Sequence, residues 1–188
     1  LAVTGYSAAD LFFDQHVLAE SNIAVERLAH LTEGGPAIVV GAPLEVNGLL
    51  YNCAFMLANG KVAGVVPKSY LPNNGEFREK RWFTSGRGVV NQDIQLGNQQ
   101  VPFGTDLLFN VSDKLVGVEI CEDAFATVSP GRMAALAGAQ VVVNPSASNE
   151  LVGKAPYRRA LVTGHAASAV CAYAYTSAGA GESYADVV

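Results

Sequence analysis

Charge is scarce in this chain. Only 15% of its 188 residues are Asp, Glu, Lys or Arg, against 50% hydrophobic, so most side chains must lie between packed layers. A chain of this length can bury one sizeable core. Basic residues are scarcer still. The net charge is −5, and the one basic cluster, Arg78-Glu79-Lys80-Arg81, is interrupted by an acid, which argues against nucleic acid as a partner. No apolar run reaches the length that spans a bilayer, and no stretch has the pattern of a signal peptide, so no membrane partner is expected. Cysteine is rare as well. Cys53, Cys121 and Cys171 are odd in number, far apart and in apolar contexts. That argues against a disulfide framework or a zinc site and for a reducing, cytoplasmic compartment. His16, His30 and His165 have no metal-ligand spacing, and the first two fall in helical stretches as surface or packing residues. There are no internal repeats and no low-complexity linker.

What is present centres on Val118-Glu119-Ile120-Cys121-Glu122-Asp123-Ala124-Phe125. The apolar run from Leu115 to Ile120 reads as a buried strand, broken only by Glu119. Cys121 then sits at the strand's exit, where a nucleophile is fixed in place yet faces a cleft. A buried cysteine beside a solvated acidic turn is the commoner meaning of such a pattern. Glu119, Glu122 and Asp123 also oppose a thiolate unless a cation stands nearby.

The rest of the chain alternates strands and helices. Ser7 to Asp10 caps a short helix with Leu11, Phe12 and Phe13 on its apolar face. A longer helix fits Leu18 to Leu31, with Ile23, Leu28 and Leu31 inward, and Gly34-Gly35-Pro36 stops it. Ala37 to Gly41, Leu49 to Ala58 and Val62 to Val66 read as strands, the last two joined by the hairpin signal Asn59-Gly60. Pro67 to Gly88 is a long polar loop whose aromatics, Tyr70, Phe77, Trp82 and Phe83, favour order. Strands follow at Val101 to Phe103, Leu107 to Val111 and Leu115 to Ile120. After them come a helix from Pro130, a strand from Gln140 to Asn144, a helix from Pro156 to Ala169 and a strand from Val170 to Thr176. Mixed hairpins and crossover helices imply an α/β sandwich with helix-covered sheets. Cys53 and Cys171 fall mid-strand and read as core. The chain opens at Leu1 without methionine and closes at Val188 where a strand starts near Asp186; both ends read as cut, as in a piece of a longer polypeptide.

Lys68 leaves its strand after one proline, so it too stands at a strand exit. A lysine beside Cys121 would favour the thiolate and stabilise an oxyanion. By itself the position equally suits a solvated loop lysine. Glu76, in the same loop, either pairs with Lys68 or faces water. Asn144-Pro145-Ser146-Ala147-Ser148-Asn149 follows a strand, where α/β sheets bind ligands.

Val-Pro-Lys68-Ser-Tyr-Leu-Pro, Val-Glu-Ile-Cys121-Glu-Asp and Asn144-Pro-Ser-Ala-Ser resemble the nitrilase (carbon–nitrogen hydrolase) superfamily. Thr4-Gly5-Tyr6 with Asp10-Leu11, Glu76-Phe77 with Arg81-Trp82-Phe83, Ser146 to Lys154 and the tail Gly181-Glu182-Ser183 are similar to the glutaminase domain of glutamine-dependent NAD synthetases. The resemblance runs the length of the chain. It implies a nitrilase-like αββα sandwich, truncated at both ends, over residues 1–188. It also implies a Glu–Lys–Cys triad with Lys68 and Cys121 as two members. The general-base glutamate belongs just before Leu1. Glu76 matches the second glutamate that holds the lysine. Ser148 and Lys154 match positions that bind the polar end of glutamine, Glu122 and Phe125 fall among the substrate-binding positions, and Asn74 stands where a tyrosine usually lines the site. The implied reaction is hydrolysis of the glutamine amide with no metal or organic cofactor. ATP and magnesium belong to a synthetase domain expected later in the same polypeptide, and a homo-oligomer is expected. Two alternatives remain: a stand-alone amidase for another amide, and an inactive scaffold of the same fold.

Overall fold

A computed structural model describes residues 1–179. The tail signature at Gly181-Glu182-Ser183 and the strand expected near Asp186 lie outside the described residues. The chain folds as two sheets, back to back, with helices on the outer faces.

The first sheet begins with a meander. Strand β1 (Ile38–Val46), β2 (Leu49–Ala58) and β3 (Lys61–Pro67) pair antiparallel. Both connections are Asn-Gly turns. Asn47 and Gly48 have φ of 52° and 75°, and Asn59 and Gly60 have φ of 51° and 77°. Two successive positive φ values match the right-handed twist of the flanking strands. Strand β1 runs five residues beyond the expected Gly41, through Pro43. A proline is tolerated there because β1 is an edge strand, with one side free of ladder bonds. After the long loop come β4 (Gln92–Leu96) and β5 (Gln99–Phe103), an antiparallel pair whose β5 lies parallel to β3. Strand β4 was not expected, because three of its five residues are polar and its outer positions face water.

The second sheet holds β6 (Leu108–Val111), β7 (Lys114–Val118), β8 (Val141–Pro145) and β9 (Ala172–Thr176), in that order. Strands β7, β8 and β9 are parallel. Their crossovers carry helices α3 (Pro130–Leu136) and α4 (Lys154–Ala169), which pack on β7 and β9. Ser129 caps α3 by accepting from the Arg132 N–H at 3.1 Å.

Helix α1 (Gln15–His30) covers the first sheet. The Asp14 side chain caps it, accepting from the His16 N–H at 2.8 Å. Leu18, Ser21, Val25 and Ala29 are its buried face. Ile23 and Leu31, expected inward, are exposed. Helical spacing puts Ile23 on the face opposite Leu18, Ser21, Val25 and Ala29. His16 and His30 are exposed as expected.

Alternation along β2 divides its side chains between two layers. Tyr51, Cys53, Phe55 and Leu57 face the α1 side, while Ala54 and Met56 join Val66, Phe109, Val116, Val118, Ile120 and Cys121 between the sheets. Gly64 permits the sheets to close. A Cβ there would come within 2.6 Å of the Phe109 ring. The layering is therefore α1, first sheet, second sheet, α3 with α4, the αββα order. Cys171 departs from expectation. It precedes β9, is only partly buried, and its N–H bonds the Ala166 carbonyl at 3.2 Å after Val170 turns left-handed, so it belongs to the end of α4.

Candidate active site

The exits of β3 and β7 meet at one end of the sandwich. Three residues past β7, Cys121 opens a 3-10 turn, Cys121–Phe125, with φ of 48°. A left-handed conformation is costly for a side chain of this kind and persists only when its surroundings hold it. Here the Asn144 side chain holds it, with Oδ1 accepting from the Cys121 N–H at 2.8 Å. Asp123 follows inside the turn. In place of the solvated acidic turn that such a pattern commonly means, it is buried. Its carboxylate accepts from the N–H groups of Ile120 at 2.9 Å, Ser69 at 3.1 Å and Tyr70 at 2.7 Å. One carboxylate thereby ties the loop after Lys68 to the turn of Cys121. Burial pushes the Asp123 carboxyl up to about 7, against the Lys68 charge and the backbone donors that hold it down.

Lys68 is 1% exposed, so its ammonium must be paired. Its Nζ donates to Glu79 Oε1 at 2.7 Å. Glu79, equally buried, also accepts from the Tyr6 hydroxyl at 2.9 Å and from Asn52 Nδ2 at 3.2 Å. Burial pulls Lys68 down, but the charges of Glu79 and Cys121 push it up further, and the net is a raised value. The ammonium therefore survives in the interior, within electrostatic reach of Cys121. Burial, then Glu79, raises the Tyr6 hydroxyl as well and keeps it a donor.

Glu76 was expected on Lys68, and the structure places it elsewhere. It is half-buried and accepts from Asn149 Nδ2, while Asn149 Oδ1 accepts from Lys154 Nζ. The loop carrying Glu76 is thus joined to the one carrying Lys154 through an asparagine. Glu79 takes the inward place because it starts a short helix, α2 (Glu79–Trp82), and the following Phe83 N–H bonds the Glu79 carbonyl at 2.8 Å. Residues four apart on a helical turn share a face. Phe83 is buried against Phe12, at 5.0 Å between ring centroids, and Glu79 goes in with it. That spacing was a usable signal. Trp82 also packs on Phe12.

Of the other expected residues, Ser148 is buried and Glu122 half-buried. Burial raises the Glu122 carboxyl while Lys68 and Lys154 lower it and Glu79 raises it further, which places Glu122 in the field of both lysines. Phe125 faces Tyr157 at 6.1 Å between centroids. Asn74 is exposed, and its carbonyl accepts from the Phe77 N–H. Tyr6, Asn52, Asn149 and Tyr173 had no individual assignment. Among the described residues, no group of three His, Cys, Asp or Glu is placed to hold a metal, and no helix is long and apolar enough to cross a membrane.

The family model described as carbon-nitrogen hydrolase matches residues 1–187. The chain belongs to the carbon–nitrogen hydrolase family. Within it, this hydrolase domain is 41% identical over 191 residues to a glutamine-dependent NAD(+) synthetase of Mycobacterium tuberculosis, with all of this chain and 28% of the relative covered. A relative of the same name from Saccharomyces cerevisiae is 31% identical over 172 residues, covering 86% of this chain and 24% of the relative. The crystal structure of a glutamine-dependent NAD(+) synthetase from Cytophaga hutchinsonii superimposes with a TM-score of 0.84 at 33% identity, over 94% of this chain and 28% of that one. The hydrolase domain thus spans about a quarter of these relatives' length.

Proposed function

We propose that this hydrolase domain is the glutaminase part of a glutamine-dependent NAD synthetase, with Cys121 as the nucleophile. The observation that carries the reading is the buried Lys68 ammonium, paired with Glu79 and tied to the Cys121 turn through Asp123. A general base takes the Cys121 proton, and the sulfur attacks the γ-amide carbon of glutamine. Charge builds on the carbonyl oxygen, where Lys68 and the N–H after Cys121 stabilise it. The carbon–nitrogen bond breaks, nitrogen leaves as ammonia with the proton, and water cleaves the γ-glutamyl thioester to restore the thiol and release glutamate. The base is a glutamate immediately ahead of Leu1. Its placement is supported by Leu1 lining one cavity with Tyr6 and Ser146, the latter bonded to Asn144. Ser148 and the Glu76–Asn149–Lys154 chain bind the polar end of glutamine. Ammonia passes to a synthetase domain in the same cytoplasmic, oligomeric polypeptide, and ATP and magnesium serve that second step only.

The test is Cys121→Ala in the full-length protein, assayed with glutamine and with ammonium as alternative nitrogen donors. Glutamine-driven synthesis falls by on the order of 10⁴ or more, while ammonium-driven synthesis persists. Retained glutamine use ends the reading. Hydrolysis of other amides, with glutamine ignored, replaces it with a stand-alone amidase.

A further inference from the structure

Glu119 is a carboxylate at 0% exposure that the reaction above does not use. Burying it is costly unless its oxygens are fully engaged. Each oxygen has a donor: Oε2 accepts from the Gly131 N–H at 2.7 Å, and Oε1 accepts from the Tyr173 hydroxyl. The Tyr173 oxygen in turn accepts from Asn144 Nδ2 at 3.0 Å. Asn144, also at 0% exposure, grips both backbone groups of Cys121: Oδ1 takes its N–H at 2.8 Å, and Nδ2 reaches its carbonyl at 3.4 Å. Ser146 Oγ donates to the same Oδ1 at 2.8 Å.

We infer that Asn144, oriented by Tyr173 and through it by Glu119, is the positioning residue that holds the Cys121 backbone in its left-handed turn. The inference rests on the reading of Cys121 as the nucleophile, since only then does the turn's geometry govern rate. The direction of the chain is set by chemistry. The Cys121 N–H only donates, so Asn144 Oδ1 faces it and Nδ2 is left to donate to the Tyr173 oxygen. The Tyr173 proton then points to Glu119. Burial, then the Glu119 charge, raises the Tyr173 hydroxyl and keeps that proton in place. One end of the chain is fixed by packing. A Cβ on Gly131 would stand 2.6 Å from the Glu119 carboxyl carbon, so only glycine admits the carboxylate there.

The test uses the full-length protein with Asn144→Ala, Asn144→Asp, Tyr173→Phe and Gly131→Ala, and Cys121→Ala as reference. Two readouts are taken: glutamine hydrolysis, and hydrogen–deuterium exchange of the Cys121 amide. Asn144→Ala is expected to lower kcat about 100-fold with KM held within about threefold, the mark of a misplaced reacting group rather than lost binding. Asn144→Asp keeps the acceptor for Cys121 and falls less. Tyr173→Phe and Gly131→Ala fall about tenfold without touching substrate. Exchange at Cys121 speeds at least about fivefold in Asn144→Ala. Unchanged exchange in Asn144→Ala overturns the clamp. Faster exchange with unchanged kcat, when Cys121→Ala is dead, overturns the positioning role alone. An active Cys121→Ala overturns the reading of the nucleophile and the positioning role with it, while exchange still decides whether the clamp exists.

Discussion

Lys68 and Cys121 leave neighbouring strands of opposite sheets, and both are buried, yet they are held in different ways. Lys68 is held by its side chain: a carboxylate at 2.7 Å fixes the ammonium, and a tyrosine and an asparagine fix the carboxylate. Cys121 is held by its backbone, through Asn144, while among the described residues no hydrogen bond fixes its own side chain. The difference follows from their tasks. A buried charge must be paired or hydrogen-bonded wherever it sits. A nucleophile must keep its reactive atom free, so its position has to be imposed through the main chain.

The contrast sharpens most when the charge pair is broken. Lys68→Met leaves the Glu79 carboxylate buried without its cation and is expected to cost about 3–5 kcal/mol of stability. Adding Glu79→Gln removes the stranded charge, keeps an acceptor for Tyr6, and restores most of that stability but none of the activity. Denaturant unfolding of the two variants beside their hydrolysis rates separates the ion pair's structural share from its chemical one.

Asp123 joins the two exits, and its titration tests that joint. Its carboxyl is raised from 3.8 to about 7 in the fold, so the folded form binds its proton more tightly than the unfolded chain does. The stability this provides is complete below the unfolded value and is lost as pH rises through about 7. Melting curves between pH 4.5 and 8 should therefore fall in stability toward the alkaline side. Asp123→Asn, which cannot ionise, should flatten that slope. A slope unchanged in Asp123→Asn would assign it to other groups.

A smaller effect is expected at the other buried thiol. Cys53 lies in the layer between the first sheet and α1, and burial raises its thiol and keeps it protonated. Cys53→Ala should cost about 1 kcal/mol or somewhat more through lost packing and leave hydrolysis untouched. A loss of rate larger than the loss of folded protein would contradict the assignment of Cys53 to the core.

Much of this arrangement was legible in the residues. Apolar runs marked β2, β3 and β8, and Asn59-Gly60 marked a hairpin, because local chain chemistry decides those features. Lys68 and Cys121 were placed at strand exits for the same reason, and their motifs pointed to one site. What was not legible depends on tertiary contact. Strand β1 passes Pro43 only because no described strand pairs along its outer edge, and β4 is polar because one face is wet. Ile23 points outward because the stripe that seats against the sheet is Leu18, Ser21, Val25 and Ala29. Glu79 displaced Glu76 as the partner of Lys68 because Phe83, packed on Phe12, sets the rotation of a four-residue helix. The grip of Asn144 on Cys121 joins residues 23 apart in the chain.

The most direct test of the account is covalent labelling of the full-length protein with a glutamine-mimicking chloroketone, followed by peptide mapping of the three cysteines. The account predicts label on Cys121 alone, suppressed by added glutamine and unaffected by ammonium. Label on Cys53 or Cys171, or label on Cys121 that glutamine does not suppress, would contradict it.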